Sequence, residues 1–303
     1  MVSHLGNSRQ REIRITSAIL LTPAIIMLLV YIYYSVAYGF YLSMLNWNGI
    51  DRVRPFAGLD NWIELAQDNV FWRSAYNNML IVVLSLLIQH PIAIAIAFIL
   101  HNTSRKVSGP LKVIYYLPAL FSSAAVGLLF MFIYSPLNGV WTTLSRMFGG
   151  GIVDLLGNPD TSLLGVFTVI SWTAIPFYML FYAAAMSGQS RDVFEASMID
   201  GCSLSKYLFR VMLPMLKPYI QTAFTLSLIG SLKYFDLIFI MTAGGPHNSS
   251  ELMATYMFQM AFRFRRMGYG STVASGMFII VVVASLLFLW LFKKVFKQED
   301  DYA

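Results

Sequence analysis

Six long windows of the chain carry almost no charge: Ile15–Tyr41, Met79–Leu100, Val113–Ser135, Leu163–Met186, Tyr219–Met241 and Ser271–Phe292. Each is long enough to cross the hydrocarbon core of a bilayer, which takes roughly 20 residues of helix. Helix is the structure such windows demand, because their backbone N–H and C=O groups find no water inside a membrane. The pattern therefore predicts an all-α membrane protein. Six transmembrane helices fall within a region 15–292, with a segment 1–14 before it and a tail 293–303 after it. Pro23, Pro91, Pro118 and Pro176 lie inside the windows and are expected to kink or break their helices.

Composition agrees with this division. Of 303 residues, 57% are hydrophobic and 12% charged, against about 25% charged in a soluble domain. The net charge of +6 does not point to nucleic acid, because the basic residues border the apolar windows. Their distribution sets topology instead. The N-terminal segment, the loops 101–112 and 187–218 and the tail hold 13 Lys and Arg, while loops 45–74, 136–162 and 242–270 hold 7. Both termini are thus expected in the cytoplasm, with Arg263, Arg265 and Arg266 as the discordant group outside. Arg9, Arg11 and Arg14 precede the first window as in a signal peptide, but the window is too long for an h-region and reads as a retained span. The one cysteine, Cys202, excludes a disulfide within the chain. Aromatic clusters in the outer loops, Trp47, Trp62 and Trp72 and then Tyr256, Phe258, Phe262 and Phe264, fit the membrane interface. The stretch 252–269 reads as an amphipathic helix lying on it.

The cytoplasmic loop 187–218 carries its own helix signals. Asp192 followed by Glu195 reads as an N-cap with an acidic third residue, and a helix from Val193 would stop at Gly201. Ser203 caps a second helix toward Met212, with Leu204, Leu208 and Val211 on one face. Pro214 and Pro218 end it. Two short amphipathic helices joined at a glycine offer a surface to another protein, although an ordinary interhelical loop fits the pattern equally well.

The motif spacing decides between these. Glu195-Ala196-Ser197, Asp200-Gly201-Cys202 and Leu213-Pro214 resemble the EAA motif of binding-protein-dependent ABC importers, with small residues where the family has alanine. Thr242-Ala243-Gly244-Gly245-Pro246 resembles the signature turn of sugar permeases of the maltose and glycerol-3-phosphate type. The resemblance covers about residues 75–295. It implies the type I importer permease fold, with coupling helices seated in a nucleotide-binding subunit, Gly201 as the turn between them and Glu195 at the interface. It also implies a second homologous permease, two ATPase subunits that hold ATP and magnesium, and an extracytoplasmic solute-binding protein that delivers a sugar or oligosaccharide. The expected location is the bacterial or archaeal cytoplasmic membrane.

Polar residues inside spans mark candidate pathway positions. Lys233 and Asp236, at i, i+3, either pair on one helix face or meet the solute. Ser227, Ser231 and Tyr234, at i, i+4, i+7, either pack the helix or offer hydroxyls to a sugar. Trp172, Thr173, Phe177 and Tyr178 surround Pro176, where a broken helix would expose its backbone to a cavity. His90, with no acid in its span, reads as a hydrogen-bonded structural histidine. The chain has no G-x-x-x-x-G-K-[ST] sequence, no metal-ligand cluster and no nucleophile elbow, so it is expected to be non-catalytic and to bind no cofactor itself. An ion-coupled secondary transporter is the competing reading; it would need intramembrane titratable groups and no docking partner.

Overall fold

The computed structural model describes residues 16–300, with side chains as far as Lys294. The expected cytoplasmic N-terminal segment with its three arginines, and the end of the tail, lie outside the described residues. Among the described residues the protein is helical apart from one isolated bridge between Leu45 and Phe56. Five helices are long and apolar enough to cross a membrane: α1 (Thr16–Ser43), α3 (Asn69–His101), α7 (Ser162–Ser187), the segment Lys217–Met241, and α13 (Met267–Asp300, apolar as far as Lys294). The third window is not one helix. It forms α4 (Arg105–Leu120) and α5 (Ser123–Ile133), bent by 90°. Pro118 lies in the last turn of α4, and Phe121 and Ser122 are extended. Ser122 then caps α5 by accepting the Ala125 N–H at 3.2 Å.

Two compact units make up the chain. The first comprises residues up to Gln67 together with Gln259–Ser275. It contains α1, the loop after it and α2 (Asp60–Gln67). Asn61 Nδ2 donates to the carbonyls of Ser43 and Leu45 at 2.9 and 3.0 Å, and Thr272 Oγ1 donates to Ser43 at 3.1 Å, so the carbonyls left free where α1 ends all find partners. Gly268 is required here, since a Cβ would strike the Leu45 carbonyl. The expected surface helix 252–269 is not continuous. Helix α12 (253–263, its last turn a π-turn) stops before Arg265, whose φ is +53°, and α13 begins at Met267. Arg266 pairs with Glu64 at 2.6 Å and lies over the Tyr269 ring.

The second unit, Asp68–Phe258 with Gly276 onward, contains the matched motifs. Its lower core packs α3 against α7, with Ala93, Ala97, Met179, Tyr182, Ala183 and Met186 fully or nearly buried. Small residues at 93, 97 and 183 let these backbones approach, as helix pairs in membranes require. The prolines act differently from one another. Pro91 follows a π-turn at Ser85–Gln89 that absorbs its missing N–H. Pro176 lies inside α7, which runs on from Ser162 to Ser187, so of the kink or break expected there the break does not occur.

His90 is fully buried between the rings of Tyr178 and Phe224, with centroids 4.3 and 4.6 Å away, and its Nδ1 lies 2.8 Å from the Tyr182 hydroxyl. This is the structural role read from the sequence. Its Nε2 has no partner. Tyr182→Phe leaves the whole ring unpaired, at a cost of about 1–3 kcal/mol. The expected result is a lower melting temperature of the detergent-solubilised protein.

Candidate functional site

Two places gather the chemistry. The first is the segment between α7 and the fifth span. Helix α8 (Arg191–Ile199) starts two residues earlier than the sequence implied. Its N-cap is Ser190, which accepts the Asp192 N–H at 3.2 Å, rather than Asp192 itself. Serine reaches a free N–H from the cap position as well as aspartate does, and this releases Asp192 into the first turn, where its charge suits the helix dipole. The helix ends in a Schellman arrangement. The Gly201 N–H donates to Met198 at 3.1 Å, the Cys202 N–H donates to Ser197 at 3.0 Å, and Gly201 has φ +78°. Ser203 then caps α9 (204–215) by accepting the Lys206 N–H at 3.5 Å.

Helix α9 is not ended by Pro214. A π-turn at Leu208–Met212 widens the helix just ahead of it, and the chain runs on to Met215. Proline lacks the N–H that would bond the Arg210 carbonyl, and the wider turn accommodates the gap. The inward face of this pair joins the core: Tyr207, Met212 and Leu216 are buried, with Phe194, Met198, Leu208 and Val211 packed beside them. Phe194 and Tyr207 meet edge to face at 5.1 Å, and burial pushes the Tyr207 phenol above its ordinary pKa. Ser197 is buried and donates to the Phe194 carbonyl at 2.7 Å, which explains why a small residue stands there.

The outward face is charged for most of its length, but three large apolar side chains stand in it. Ile199 is 86% exposed and Phe209 67%. Leu204 is also exposed, so the expected stripe of Leu204, Leu208 and Val211 is split, with only the latter two facing inward. Glu195, Ala196, Asp200 and Arg210 are exposed as well. Glu195 pairs with Arg191 at 3.0 Å, both largely in solvent, where such a pair contributes no more than about 0.5 kcal/mol. Leu213 is half-buried and Pro214 exposed. Ile199 and Phe209 carried no motif signal; exposure alone identifies them.

The second place is the fifth span, which breaks. Helix α10 (Lys217–Leu232) ends at Lys233, and α11 (Asp236–Met241) starts three residues later. Lys233 and Asp236 therefore do not share a helix face, and the i, i+3 pair inferred from the sequence does not form. Asp236 instead accepts from Ser123 Oγ of α5 at 3.2 Å. The breaks of the third and fifth windows thus meet. Gly127 of α5 makes the contact close, since a Cβ there would come within 2.7 Å of Ile240.

The remaining pathway candidates separate. Lys233 and Asp236 are exposed at the break, with Tyr234 half-buried between them. Trp172 packs on Phe130 of α5 at 5.3 Å while keeping 38% of its surface open, and Phe177 is 46% open. Thr173 spends its hydroxyl on its own helix. Tyr178, Ser227 and Ser231 are buried, and Ser231 Oγ lies 3.4 Å from Ser85 Oγ. These three are packing residues here, not an open polar stripe.

A pair of asparagines that the sequence reading passed over holds this region together. Asn78 Nδ2 donates to the carbonyls of Ser231 and Leu232 at 2.8 and 3.2 Å, at the end of α10 where the helix breaks, and its Oδ1 accepts the Met253 N–H at 2.9 Å. Asn77 Nδ2 donates to the carbonyls of Ser249 and Glu251 at 3.0 and 2.9 Å. Between these anchors lies the turn Gly244-Gly245-Pro246, with Gly244 at φ +86° and a cis bond at Gly245–Pro246. A Cβ on Gly244 would enter the buried Glu251 carboxylate. Thr242 Oγ1 takes up the Gly244 N–H at 3.3 Å and lies 2.8 Å from Ser250 Oγ. A cleft of about 440 Å³ opens beside the turn, between Tyr134, Asp154, Met241 and Pro246. Among the described residues no group of three His, Cys, Asp or Glu gathers as a metal site would need.

The family model of the binding-protein-dependent transport system inner membrane component matches residues 90–297. The chain belongs to this family. The permease is 30% identical to the lactose transport system permease protein LacF of Rhizobium radiobacter, over 95% of this chain and 97% of that protein. It is 53% identical to the putative ABC transporter permease protein ORF1 of a Caldicellulosiruptor species, over 43% of this chain and 92% of that protein. Its fold matches that of a chain in the bacterial alginate ABC transporter crystallised with a periplasmic protein bound to an alginate pentasaccharide. The TM-score is 0.81 at 21% identity, covering 95% of this chain and 97% of that one. The permease is accordingly a multi-pass component of the inner membrane.

Proposed function

We propose that this permease is the translocation subunit of an ATP-driven importer that carries a sugar or oligosaccharide handed over by a solute-binding protein. It pairs with a second, similar permease to enclose the pathway. A dimer of ATPase subunits, which binds the ATP and magnesium, docks on residues 191–215. The permease itself is non-catalytic and binds no cofactor, and both of its termini lie in the cytoplasm. The observation that carries this reading is the surface of α8 and α9. One face is locked into the core through Tyr207 and Met212, and the other presents Ile199 and Phe209 to solvent. Large apolar side chains held in solvent among charges suit a docking site, and the packing of the opposite face on the α3–α7 core would pass on the movement of whatever seats there.

Within this reading, Lys233, Tyr234 and Asp236 at the break are the solute-contacting residues, with Trp172 and Phe177 as flat surfaces for sugar rings. Unwound backbone at membrane depth is tolerated where it borders a cavity. The sugar class is supported by the lactose transport role in the name of the relative LacF. Lys233 favours an anionic saccharide. ATP binding would close the ATPase dimer, shift α8 and α9, and rock the spans between inward and outward access.

Reconstitution of the complete importer in vesicles tests the reading. Phe209→Glu is expected to leave the permease folded, because the side chain touches no core, and to abolish both copurification of the ATPase and ATP-dependent uptake. Uptake that proceeds without ATP, driven by an ion gradient, would instead establish the secondary transporter.

A further inference from the structure

Between α5 and α7 the chain forms a loop whose helix, α6 (Val140–Met147), is turned inside out. Val140, Trp141, Leu144, Met147 and Phe148 fall at i, i+1, i+4, i+7 and i+8, which is one helical face. That face points away from the protein, with Met147 76% and Phe148 89% exposed. The opposite face holds the loop together through polar groups. Thr142 is buried; its Oγ1 donates to the Val153 carbonyl at 3.1 Å and accepts the Val153 N–H at 3.2 Å. Arg146 donates to the Leu137 carbonyl at 3.4 Å. A water-facing helix would have the reverse arrangement.

We infer that α6 lies in the membrane interface, with its apolar face in the boundary between lipid headgroups and acyl chains, at the leaflet where α5 ends and α7 begins. Three observations select lipid over a protein partner. No Asp, Glu, Lys or Arg occurs between Lys112 and Arg146, so the uncharged stretch that enters the bilayer with α4 and α5 continues into α6 as far as its last turn. Exposed apolar side chains likewise recur along this stretch, from Leu128, Leu129 and Phe132 on α5 through Leu137 and the α6 face to Ile152. Third, Trp141 is half-exposed on that face, the position that aromatic interface anchors take. Of the charged residues of the loop, Arg146 lies in the last turn of α6, off the Leu144–Phe148 face and bonded to the Leu137 carbonyl, and Asp154 and Asp160 follow only after the face is complete. A helix amphipathic in this sense, flanked by two spans, matches the physics of in-plane membrane anchors.

The test uses the whole importer, purified with its native partners and placed in lipid nanodiscs, with Cys202→Ser as background. Nitroxide labels at Met147→Cys and Phe148→Cys report collisions with oxygen, which concentrates in lipid, and with a nickel chelate, which stays in water. Asp160→Cys serves as the aqueous control. The expected result is a several-fold excess of oxygen over nickel accessibility at Met147 and Phe148, the opposite at Asp160, and no change when the solute-binding protein is added. Labels that neither reagent reaches, or that lose accessibility on adding the binding protein, would make the face a protein interface and overturn the inference. Labels reached mainly by nickel would make it a water-exposed face and overturn it equally. Two label sites keep the readout usable if one substitution disturbs the loop.

Discussion

Replacing Gly201 by valine is expected to abolish ATP-driven uptake while leaving the permease inserted in the membrane. The backbone at Gly201 has φ +78°, a region that costs an ordinary L-residue roughly 1–2 kcal/mol and a β-branched one more. Space is not the constraint, since a Cβ at this position meets nothing within 4 Å. The effect of a substitution should therefore follow backbone preference and not volume. Asparagine, which tolerates the left-handed region, should retain most uptake. Alanine should retain part, and valine none, because relaxing the turn dissolves the Schellman bonds to Ser197 and Met198 and re-aims α9 with Phe209. The measurement is ATP-dependent uptake in vesicles alongside the amount of copurified ATPase. If asparagine were as damaging as valine, the glycine would be required for contact and not for conformation.

Asn78→Leu, in α3, is expected to destabilise the break of the fifth span more than any single change within that span. The Leu232 carbonyl and the Met253 N–H lose this partner at once, and the Ser231 carbonyl is left with the long bond from the Tyr234 N–H at 3.4 Å. Each unsatisfied buried group costs about 1–3 kcal/mol, and the hydrocarbon around it offers no water as a substitute. The expected fall in melting temperature is on the order of 10 °C. Asn78→Asp is the informative companion. It keeps the acceptor for Met253 but sets a carboxylate against two carbonyls, so it should be as harmful as leucine. An unchanged melting temperature in both variants would mean that the break in the fifth span is stabilised by other contacts.

The two sites were legible to different degrees, for physical reasons. The docking segment declares itself because capping and glycine rules are local: Ser203, Gly201 and the spacing to Leu213-Pro214 act through neighbouring backbone groups. Even there, the exact cap moved to Ser190, since serine and aspartate compete for the same role. The break at Lys233 was hidden. Hydrophobicity runs through it, and no proline or glycine lies between Leu232 and Asp236, so the pattern cannot tell a continuous helix with two charges from a broken one. Asn77 and Asn78 were missed for the opposite reason. Polarity just before Met79 looks like the end of a span, whereas both amides turn inward and tie the break and the glycine turn from within the helix. The 90° bend after Pro118 was half visible: the proline marked a disturbance, but only the cap at Ser122 shows where the chain restarts. The apolar outward face of α6 has a clear periodicity in sequence, yet periodicity does not say which side faces the protein.

The docking assignment of residues 191–215 is tested most directly by proximity. In a Cys202→Ser background, Ile199→Cys and Phe209→Cys are treated with a short bifunctional thiol reagent in the intact, ATP-hydrolysing importer. The expected result is a cross-link from both positions to the ATPase subunit, with a yield that changes when ATP is added. A transport-competent importer in which neither position cross-links, with or without ATP, would contradict the assignment.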